Sequence, residues 1–325
     1  MRRFGLGFMI GALIAAAIWL NNTSLWSTPS AKPLLLAHRG LAQTYDSTGL
    51  TATTCTAARI HPPEHPYIEN TIPSMQAAFS AGADIVELDL HPTTDGQFAV
   101  FHDWTLDCRT DGRGITREQS MADLKKLDVG YGYTSDGGET FPFRGEGIGL
   151  MPTLDEVLAR FPDKRFLIHV KSNDPAEGET LERRLAALAP NQLEKLMVYG
   201  GDRPVAVIRA RLPKIQTMSK ATLKSCVIRY GLIGWAGFLP ADCKHSLILM
   251  PSDYAHWMWG WPNLFVARMK RASSDVFIMS PNEGEPFSRG IDTRDDLRNV
   301  PKPFSGGIWT NRIDRIAPLL ASEKQ

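Results

Sequence analysis

The chain has 325 residues, of which 43% are hydrophobic and 22% are charged, and its formal net charge is +1. This length and composition suffice for a sizeable folded core and exclude disorder as the default state. The near-zero charge and the lack of a long basic run exclude the electrostatic signature of nucleic-acid binding, so no nucleic-acid partner is expected.

The N-terminus predicts a helix directed to a membrane. Residues 4–20 carry no charge and follow two arginines. At about 1.5 Å per residue they would span roughly 25 Å, slightly less than a hydrocarbon core of about 30 Å. An uncleaved signal anchor, a cleaved signal peptide and a buried core helix are the alternatives. The flanking arginines and the lack of a clear cleavage site favour an anchor over 1–21, with the body outside the cytoplasm, periplasmic or extracellular.

Residues 22–32 are polar and predict a short linker, which leaves residues 33–325 as one domain. The chain contains four cysteines. An even count allows three patterns of disulfide pairing and equally allows four buried thiols. If disulfides form, Cys226 and Cys243 are the favoured pair, because both lie in one aromatic, glycine-rich segment. No CxxC spacing indicates a zinc site.

Nine short apolar runs predict β-strands, and amphipathic helical patterns separate several of them. Such alternation indicates an α/β fold with a mostly parallel sheet. Polar residues lie at the carboxyl ends of several runs, as on the active face of a (β/α)8 TIM-type barrel. Because the barrel has eight strands and nine runs are predicted, one run is either not a strand or lies outside the barrel. The runs are 33–40, 84–90, 97–103, 165–171, 195–201, 214–219, 246–251, 275–280 and 306–312.

The second and third runs predict a hairpin that distorts the barrel. Only the six residues "HPTTDG" join them, and a parallel crossover needs a dozen or more. A two-residue turn at Asp95-Gly96 would place Asp89 opposite His102, and the strand period puts Glu87 and Asp89 on one face. Buried charges cost several kcal/mol unless they are compensated, so this cluster indicates a bound cation or catalytic chemistry.

Five segments resemble the glycerophosphodiester phosphodiesterase family, which is similar in barrel and mechanism to phosphatidylinositol-specific phospholipases C. The ordered set HRG, ENT, ExD and HD is specific, whereas each short motif alone is not. The segments are "AHRG" (37–40), "ENTIPSMQAAFSAGADIVELDLHPTTDGQFAVFHDWTLDCRTDGRG" (69–114), "MPTLDEVL" (151–158), "HVK" (169–171) and "GGIWTNRID" (306–314).

The resemblance implies that His38 and His102 are a general acid/base pair and that Glu87 and Asp89 hold a divalent metal. The implied activity is metal-dependent hydrolysis of glycerophosphodiesters to glycerol 3-phosphate and an alcohol. The residue types suit this chemistry, because imidazole transfers protons near neutral pH and a cation stabilises the charge that develops on phosphate. Attack by the glycerol hydroxyl through a cyclic phosphate and direct attack by water are both compatible with the sequence.

The resemblance further implies that Arg39 and Lys171 contact the phosphate or order the site, although both could be ordinary salt-bridge partners. His169 stands at the position where the family usually has a third metal-binding carboxylate. Carboxylate oxygens prefer Mg²⁺ or Ca²⁺, and an imidazole ligand also admits Mn²⁺ or Zn²⁺. Alternatively, His169 is a structural histidine that bonds a neighbour.

Two other features depart from the family or bear on the site. About thirty residues separate His38 from Glu69, and this insert is expected to rise over the active face. Asn70 is predicted to cap the following helix or to support the site.

Two alternative functions remain open at this stage. The first is a phospholipase that acts on lysophospholipid or phosphoinositide headgroups with the same site. The second is a catalytically inert barrel that binds such headgroups, suggested by the missing carboxylate at position 169. The sequence indicates no oligomeric state.

Overall fold

The computed structural model describes residues 2–25, 27, 32–51, 54–282 and 289–322, without the side chains of residues 2–6 and 8. Residues 26 and 28–31 of the predicted linker 22–32, and the last three residues of the predicted domain 33–325, therefore lie outside the described residues. Within that description the strands are β1 (Leu34–Ala37), β2 (Ile85–Pro92), β3 (Phe98–Val100), β4 (Arg165–Val170), β5 (Leu196–Gly200), β6 (Gln216–Ser219), β7 (Leu247–Pro251), β8 (Asp275–Met279) and β9 (Gly307–Thr310).

Most connections between the strands contain helices, as the sequence patterns predict. The helices are α1 (Arg2–Asn22), α2 (Ile72–Ser80), α3 (Met121–Leu124), α4 (Leu154–Arg160), α5 (Pro175–Ala186), α6 (Pro190–Leu193), α7 (Asp202–Arg211), α8 (Lys220–Ile233), α9 (Ser252–Ala255), α10 (Asn263–Arg271) and α11 (Ile313–Ser322).

Eight parallel strands form a nearly closed barrel. Their order is β6, β5, β4, β2, β1, β9, β8 and β7. The outermost strands of this series, β6 and β7, meet through a parallel bridge between Thr217 and Ser246. The remaining strand, β3, pairs with β2 outside the ring. The predicted TIM-type barrel is therefore confirmed, and the run 97–103 is the peripheral one.

The predicted hairpin between β2 and β3 is confirmed, but its predicted register is wrong. Leu90 pairs with Val100. The loop consists of residues 94–96, and its last residue is a glycine with φ 75°. A three-residue loop with a left-handed last residue replaces the expected two-residue turn and shifts the pairing by one residue. Asp89 is therefore not paired with His102, which lies beyond the end of β3.

The barrel strands alternate between two apolar layers. On β2, Val86 and Leu88 belong to the large cluster between barrel and helices, whereas Ile85 belongs to the cluster inside the barrel. The interior also contains Phe277 and Trp309. Side chains of a strand alternate between its faces, so each barrel strand contributes to both layers.

The helix after the insert begins one residue later than the sequence suggested. Thr71 is the N-cap of α2, and its hydroxyl accepts a hydrogen bond from the Ser74 amide at 3.3 Å. The predicted capping role of Asn70 is therefore wrong. Asn70 has φ 58°, and its side chain instead reaches Asp89.

The predicted N-terminal helix is present as α1, but its predicted membrane span is not supported. Among the residues that the structure describes, none of the helices combines the length and the apolarity that crossing a bilayer requires. The end of α1 is hydrogen-bonded to the barrel domain. Arg268 Nη2 donates to the Asn21 carbonyl at 2.7 Å, and Asn22 Nδ2 donates to the Trp235 carbonyl at 2.8 Å.

All four cysteines form disulfides, Cys55 with Cys108 and Cys226 with Cys243. The favoured pair, Cys226 and Cys243, is therefore confirmed. The other disulfide joins the insert covalently to the segment that follows β3.

Gly40, directly after Arg39, provides a test of how tightly the chain after β1 packs against α2. It has φ 81°, and a Cβ there would lie 2.5 Å from Ser74 Oγ and 2.9 Å from the Ser74 carbonyl carbon. We expect Gly40→Ala to lower the free energy of unfolding by more than about 2 kcal/mol, because the left-handed backbone alone costs roughly 1–2 kcal/mol and the clash adds to it.

Gly96→Ala is the matched control, since Gly96 has φ 75° and nothing within 4 Å of an added Cβ. Denaturant unfolding measures both variants. Equal losses of stability would contradict the role assigned to the contact with Ser74.

Candidate active site

The candidate site is the upper layer of the barrel interior. On five consecutive strands of the ring, an inward apolar residue is followed two positions later by a polar one, because side chains alternate with period two. In ring order the pairs are Met197 and Tyr199, Leu167 and His169, Ile85 and Glu87, Leu36 and His38, and Trp309 and Asn311. Asp89 continues the series on β2, so the polar groups converge at the carboxyl ends of the strands.

Glu87 and Asp89 are both fully buried. Burial and then the charge of Asp89 raise the pKa of Glu87 to about 8. Burial also opposes ionisation of Asp89, but the positive charges around it, chiefly Lys171, outweigh burial and hold its pKa well below the usual range. Glu87 Oε1 accepts a hydrogen bond from the Tyr199 hydroxyl at 2.6 Å. The pair therefore holds one firm negative charge, on Asp89, next to a second carboxyl, Glu87, whose ionisation is opposed by burial and by that charge.

His169 lies against both carboxylates. Its Nδ1 is 2.8 Å from Asp89 Oδ1 and 3.8 Å from Glu87 Oε1. The imidazole stacks on the Tyr199 ring with 4.2 Å between centroids. Burial lowers the pKa of His169, so the ring is neutral at neutral pH, as a metal ligand must be.

The donor set of Glu87, Asp89 and His169 fits a divalent cation. One ligand atom from each residue lies within 4.8 Å of the other two. A cation would replace the proton that burial and Asp89 impose on Glu87, and would thereby offset the cost of two adjacent buried carboxylates. Two carboxylates and a neutral imidazole are compatible with Mg²⁺, Ca²⁺, Mn²⁺ or Zn²⁺ and do not select among them.

The two predicted phosphate-binding cations both pair with Asp89. Lys171 Nζ is 3.5 Å from Asp89 Oδ1, and Arg39 Nε is 3.3 Å from Asp89 Oδ2. Arg39 Nη1 also contacts Glu69 Oε1 at 3.1 Å. Asn70 Nδ2 donates a hydrogen bond to Asp89 Oδ2 at 3.0 Å, and Asn70 Oδ1 accepts one from the Asp89 backbone amide at 3.2 Å. Salt bridges therefore exist at both positions, and Asn70 supports the carboxylate.

Hydrogen bonds determine which nitrogen of His38 carries a proton. Asn311 Nδ2 donates to Asp292 Oδ2 at 2.7 Å, so Asn311 Oδ1 must accept from His38 Nδ1, also at 2.7 Å. His38 Nε2 is then an unprotonated acceptor, 3.8 Å from Glu87 Oε2. Burial, and next the charge of Arg39, hold the pKa of His38 well below its usual value.

The same arrangement applies to His102. Its Nδ1 is 2.6 Å from Asp103 Oδ1, and Arg109 Nε donates to Asp103 Oδ2 at 2.9 Å. Burial opposes ionisation of Asp103, but Arg109 outweighs it and holds the pKa of Asp103 below its usual range. His102 Nδ1 is therefore the donor, and Nε2 is free. Burial and then Arg39 lower the pKa of His102 to about 4.

The sequence assigned no role to Tyr199, Asn311, Asp292 and Arg109, which all belong to the site. A signal existed for the first two, since each lies two positions after an inward apolar residue at a strand end. No local pattern marks Asp292 or Arg109, because both lie in irregular segments and reach the site through tertiary contacts.

A cavity of about 320 Å³ adjoins His38 and Arg39. The insert contributes residues between positions 42 and 50, and the connection from β8 to β9 contributes Asp292 and its neighbours. Most lining side chains are polar. The insert thus lies beside the candidate site, where it was expected.

The chain is similar to curated glycerophosphodiester phosphodiesterases of bacteria. It is 38% identical over 160 residues to one from Bacillus subtilis (strain 168), which is 48% of this chain and 49% of that protein. It is 41% identical over 103 residues to one from Caldanaerobacter subterraneus, which is 32% of this chain and 39% of that protein. The chain thus spans about half or less of the length of these relatives.

Solved structures share the fold over nearly the whole chain. A glycerophosphodiester phosphodiesterase from Agrobacterium tumefaciens has a TM-score of 0.57 at 21% identity, and the match covers 88% of this chain and 99% of that one. A phosphodiesterase from Oleispira antarctica, solved in complex with the product sn-glycerol-3-phosphate, has a TM-score of 0.54 at 18% identity, over 90% of this chain and 97% of that one.

The sequence model of the glycerophosphoryl diester phosphodiesterase family matches residues 38–226, more than half of the chain. The matched region begins at His38 and contains the buried carboxylates, His102 and His169. With the barrel and its polar upper layer, this match shows that the chain belongs to the glycerophosphoryl diester phosphodiesterase family.

Proposed function

We propose that this protein is a metal-dependent hydrolase that cleaves glycerophosphodiesters to glycerol 3-phosphate and an alcohol. One observation carries the proposal. His38 and His102 each have Nδ1 bonded to a side-chain oxygen, which leaves Nε2 as the nitrogen for proton transfer, and both imidazoles interact electrostatically with the buried Asp89. Two proton-transfer groups next to a cation site are the requirements for breaking a phosphodiester.

The partners of the two imidazoles differ, which distinguishes their roles. His102 is paired with an ionised carboxylate, whereas His38 is paired with a neutral amide. An imidazolium is therefore more stable at His102. We assign His38 Nε2 as the base that takes the proton of the attacking hydroxyl. When the anionic substrate binds, His102 Nε2 takes up a proton from solvent, and the imidazolium, stabilised by Asp103, then gives that proton to the leaving alcohol oxygen as the P–O bond breaks. The attacking hydroxyl belongs to water or to the glycerol moiety.

Glu87, Asp89 and His169 would hold the metal, which would supply positive charge for the phosphate oxygens. His169 would use Nδ1, the nitrogen that faces both carboxylates, and its ring proton would then reside on Nε2. Arg39 and Lys171 would orient the phosphate from the same side. Both side chains are about one-tenth exposed, and cations in such a site act more strongly than in water.

The cavity beside His38 supports a small, polar substrate. Its volume of about 320 Å³ and its mostly polar lining suit one polar arm of a diester rather than an acyl chain. The relative from Oleispira antarctica binds sn-glycerol-3-phosphate as its product. Both observations favour a deacylated glycerophosphodiester over a lysophospholipid.

Replacing either histidine should abolish most turnover. We expect His38→Ala and His102→Ala to lower kcat about 10²- to 10⁴-fold, the usual contribution of a general acid or base. Enzyme-coupled measurement of glycerol 3-phosphate release from glycerophosphocholine, glycerophosphoethanolamine and glycerophosphoglycerol checks this. His256→Ala is the control, because His256 is exposed and contacts the Trp257 ring. Full activity in His102→Ala, or release from none of these diesters, would refute the proposal.

Removal of the metal should abolish turnover, and addition of a divalent metal should restore it. We expect chelator-treated protein to be inactive and to regain activity with Mg²⁺, Ca²⁺ or Mn²⁺. Calorimetry with Mn²⁺ should show binding that is at least about 10- to 100-fold weaker in Glu87→Gln and His169→Ala. Loss of a residue that merely hydrogen-bonds a metal ligand already weakens metal binding by that factor, and loss of a ligand should weaken it at least as much. Glu177→Gln is the control, because Glu177 is a buried carboxylate bonded to Arg117 and Ser172. Unchanged Mn²⁺ affinity in both site variants would contradict the assigned ligands.

We also propose that the barrel domain functions outside the cytoplasm. Its two disulfides support this proposal, because disulfides persist in oxidising compartments and are rare in the cytosol. A reporter that is active only after export, fused after Gln325, should therefore be active. Its inactivity, together with activity of a cytoplasmic reporter at the same position, would refute the proposal.

A further inference from the structure

We infer that Arg109 is a positioning residue for His102 and that the Cys55–Cys108 disulfide holds Arg109 in place, so that turnover depends on this disulfide. The inference rests on the proposed function, which makes His102 a proton-transfer group.

Arg109 is the buried centre of a network behind the site. The residue is 2% exposed. Its Nε donates to Asp103 Oδ2 at 2.9 Å, and its Nη1 contacts Glu69 Oε2 at 3.2 Å. Nη1 also donates to the Tyr133 hydroxyl at 2.7 Å, and Nη2 donates to Thr56 Oγ1 at 2.6 Å. The guanidinium is thus held on several sides.

Two of these contacts lead to side chains with a proposed role, one to the proton-transfer group His102 and the other to the phosphate-orienting Arg39. The other oxygen of Asp103 bonds His102 Nδ1 at 2.6 Å. The other oxygen of Glu69 contacts Arg39 at 3.1 Å. Because an ionised Asp103 fixes the tautomer and the orientation of His102, any shift of Arg109 would be transmitted to the imidazole.

The disulfide fixes the same two segments that the Arg109–Thr56 hydrogen bond joins. Cys55 immediately precedes Thr56, and Cys108 immediately precedes Arg109. A covalent bond and a charged hydrogen bond therefore lie side by side across the interface between the insert and the segment after β3. Directly after Thr56 the insert forms a short 3₁₀ helix, Ala57–Arg59, with backbone hydrogen bonds between this turn and Thr134. The disulfide adds the covalent link next to Thr56, which fixes where Thr56 meets the guanidinium.

Reduction of this disulfide would free the two segments. Two electrons and two protons convert the S–S bond to two thiols, and dithiothreitol, the donor, becomes its cyclic disulfide. Thr56 and Arg109 would then be joined by non-covalent contacts alone. Asp103 would lose its fixed partner, and His102 would populate orientations in which Nε2 does not face the phosphate.

The second disulfide of the chain supplies a matched control. Cys226 lies in α8 and Cys243 in the short turn 241–243, where both belong to the apolar cluster between barrel and helices. Its removal tests the general effect of losing one cross-link. Any loss specific to Cys55 and Cys108 must then arise at the segments that they join.

The experiment compares Cys55→Ala/Cys108→Ala with Cys226→Ala/Cys243→Ala in the full chain. Kinetics are measured on the diesters that the unmodified protein hydrolyses. We expect the first pair to lower kcat about 10- to 100-fold with little change in KM, because part of the contribution of one proton-transfer group is lost. The second pair should keep kcat within about twofold of the unmodified protein.

Thr56→Val removes one hydrogen bond to Arg109 and should also lower kcat. Thr180→Val, on α5, is its control.

An NMR readout separates positioning from general stability and from the proposed function. In protein labelled with ¹⁵N-histidine, the Nδ1–H of His102 should give a downfield proton signal that is absent in His102→Ala and shifted in Asp103→Asn. The signal should weaken or move after loss of Cys55–Cys108 and stay unchanged after loss of Cys226–Cys243. This measurement needs no substrate, so a protein inactive on every diester could still show it.

Three results would overturn the inference. The first is unchanged kcat in Cys55→Ala/Cys108→Ala. The second is an equal loss of kcat in both cysteine pairs. The third is a His102 signal that does not respond to loss of Cys55–Cys108, or that is absent from the oxidised protein. If the signal responds as expected but no diester is hydrolysed, the proposed function fails and the positioning role of Arg109 stands.

Discussion

The burial of Glu87 and Asp89 side by side at the top of the barrel is the constraint on which the site depends. Two adjacent carboxylates without water are strongly unfavourable unless positive charge compensates them. The fold supplies Arg39 and Lys171 for Asp89, whereas Glu87 is left with a pKa of about 8. That uncompensated carboxyl makes the site a receptor for a cation rather than a closed network of salt bridges.

The parallel barrel creates this constraint through a simple geometric rule. Inward positions low on each strand are apolar and close-packed, and the next inward position on five consecutive strands is polar. The apolar layer inside the barrel excludes water, so water reaches the polar layer only at the carboxyl ends of the strands. Substrate, cation and proton-transfer groups must therefore meet at this face, where the insert also borders a polar cavity.

The two imidazoles illustrate how loops complete what the strands begin. His38 and His102 each need a fixed acceptor at Nδ1 to present Nε2 to the site. Asn311 supplies it for His38 from the end of a barrel strand, whereas Asp103 supplies it for His102 from an irregular segment after β3. The second arrangement lacks a ladder of backbone hydrogen bonds at His102, which explains why a buried arginine and a disulfide lie behind it.

The sequence by itself determined the barrel class, the strand runs, the hairpin and the polar residues at the strand ends, because strand periodicity and short connections act locally. The strand period placed Glu87 and Asp89 on one face, and the family resemblance implied His169 as the third member of that cluster. Only the tertiary structure decided the hairpin register, the capping of α2 by Thr71, the pairing of Cys55 with Cys108 and the roles of Asp292 and Arg109. Each depends on contacts between segments distant in the chain, where loop conformation and burial, rather than local pattern, select the partner.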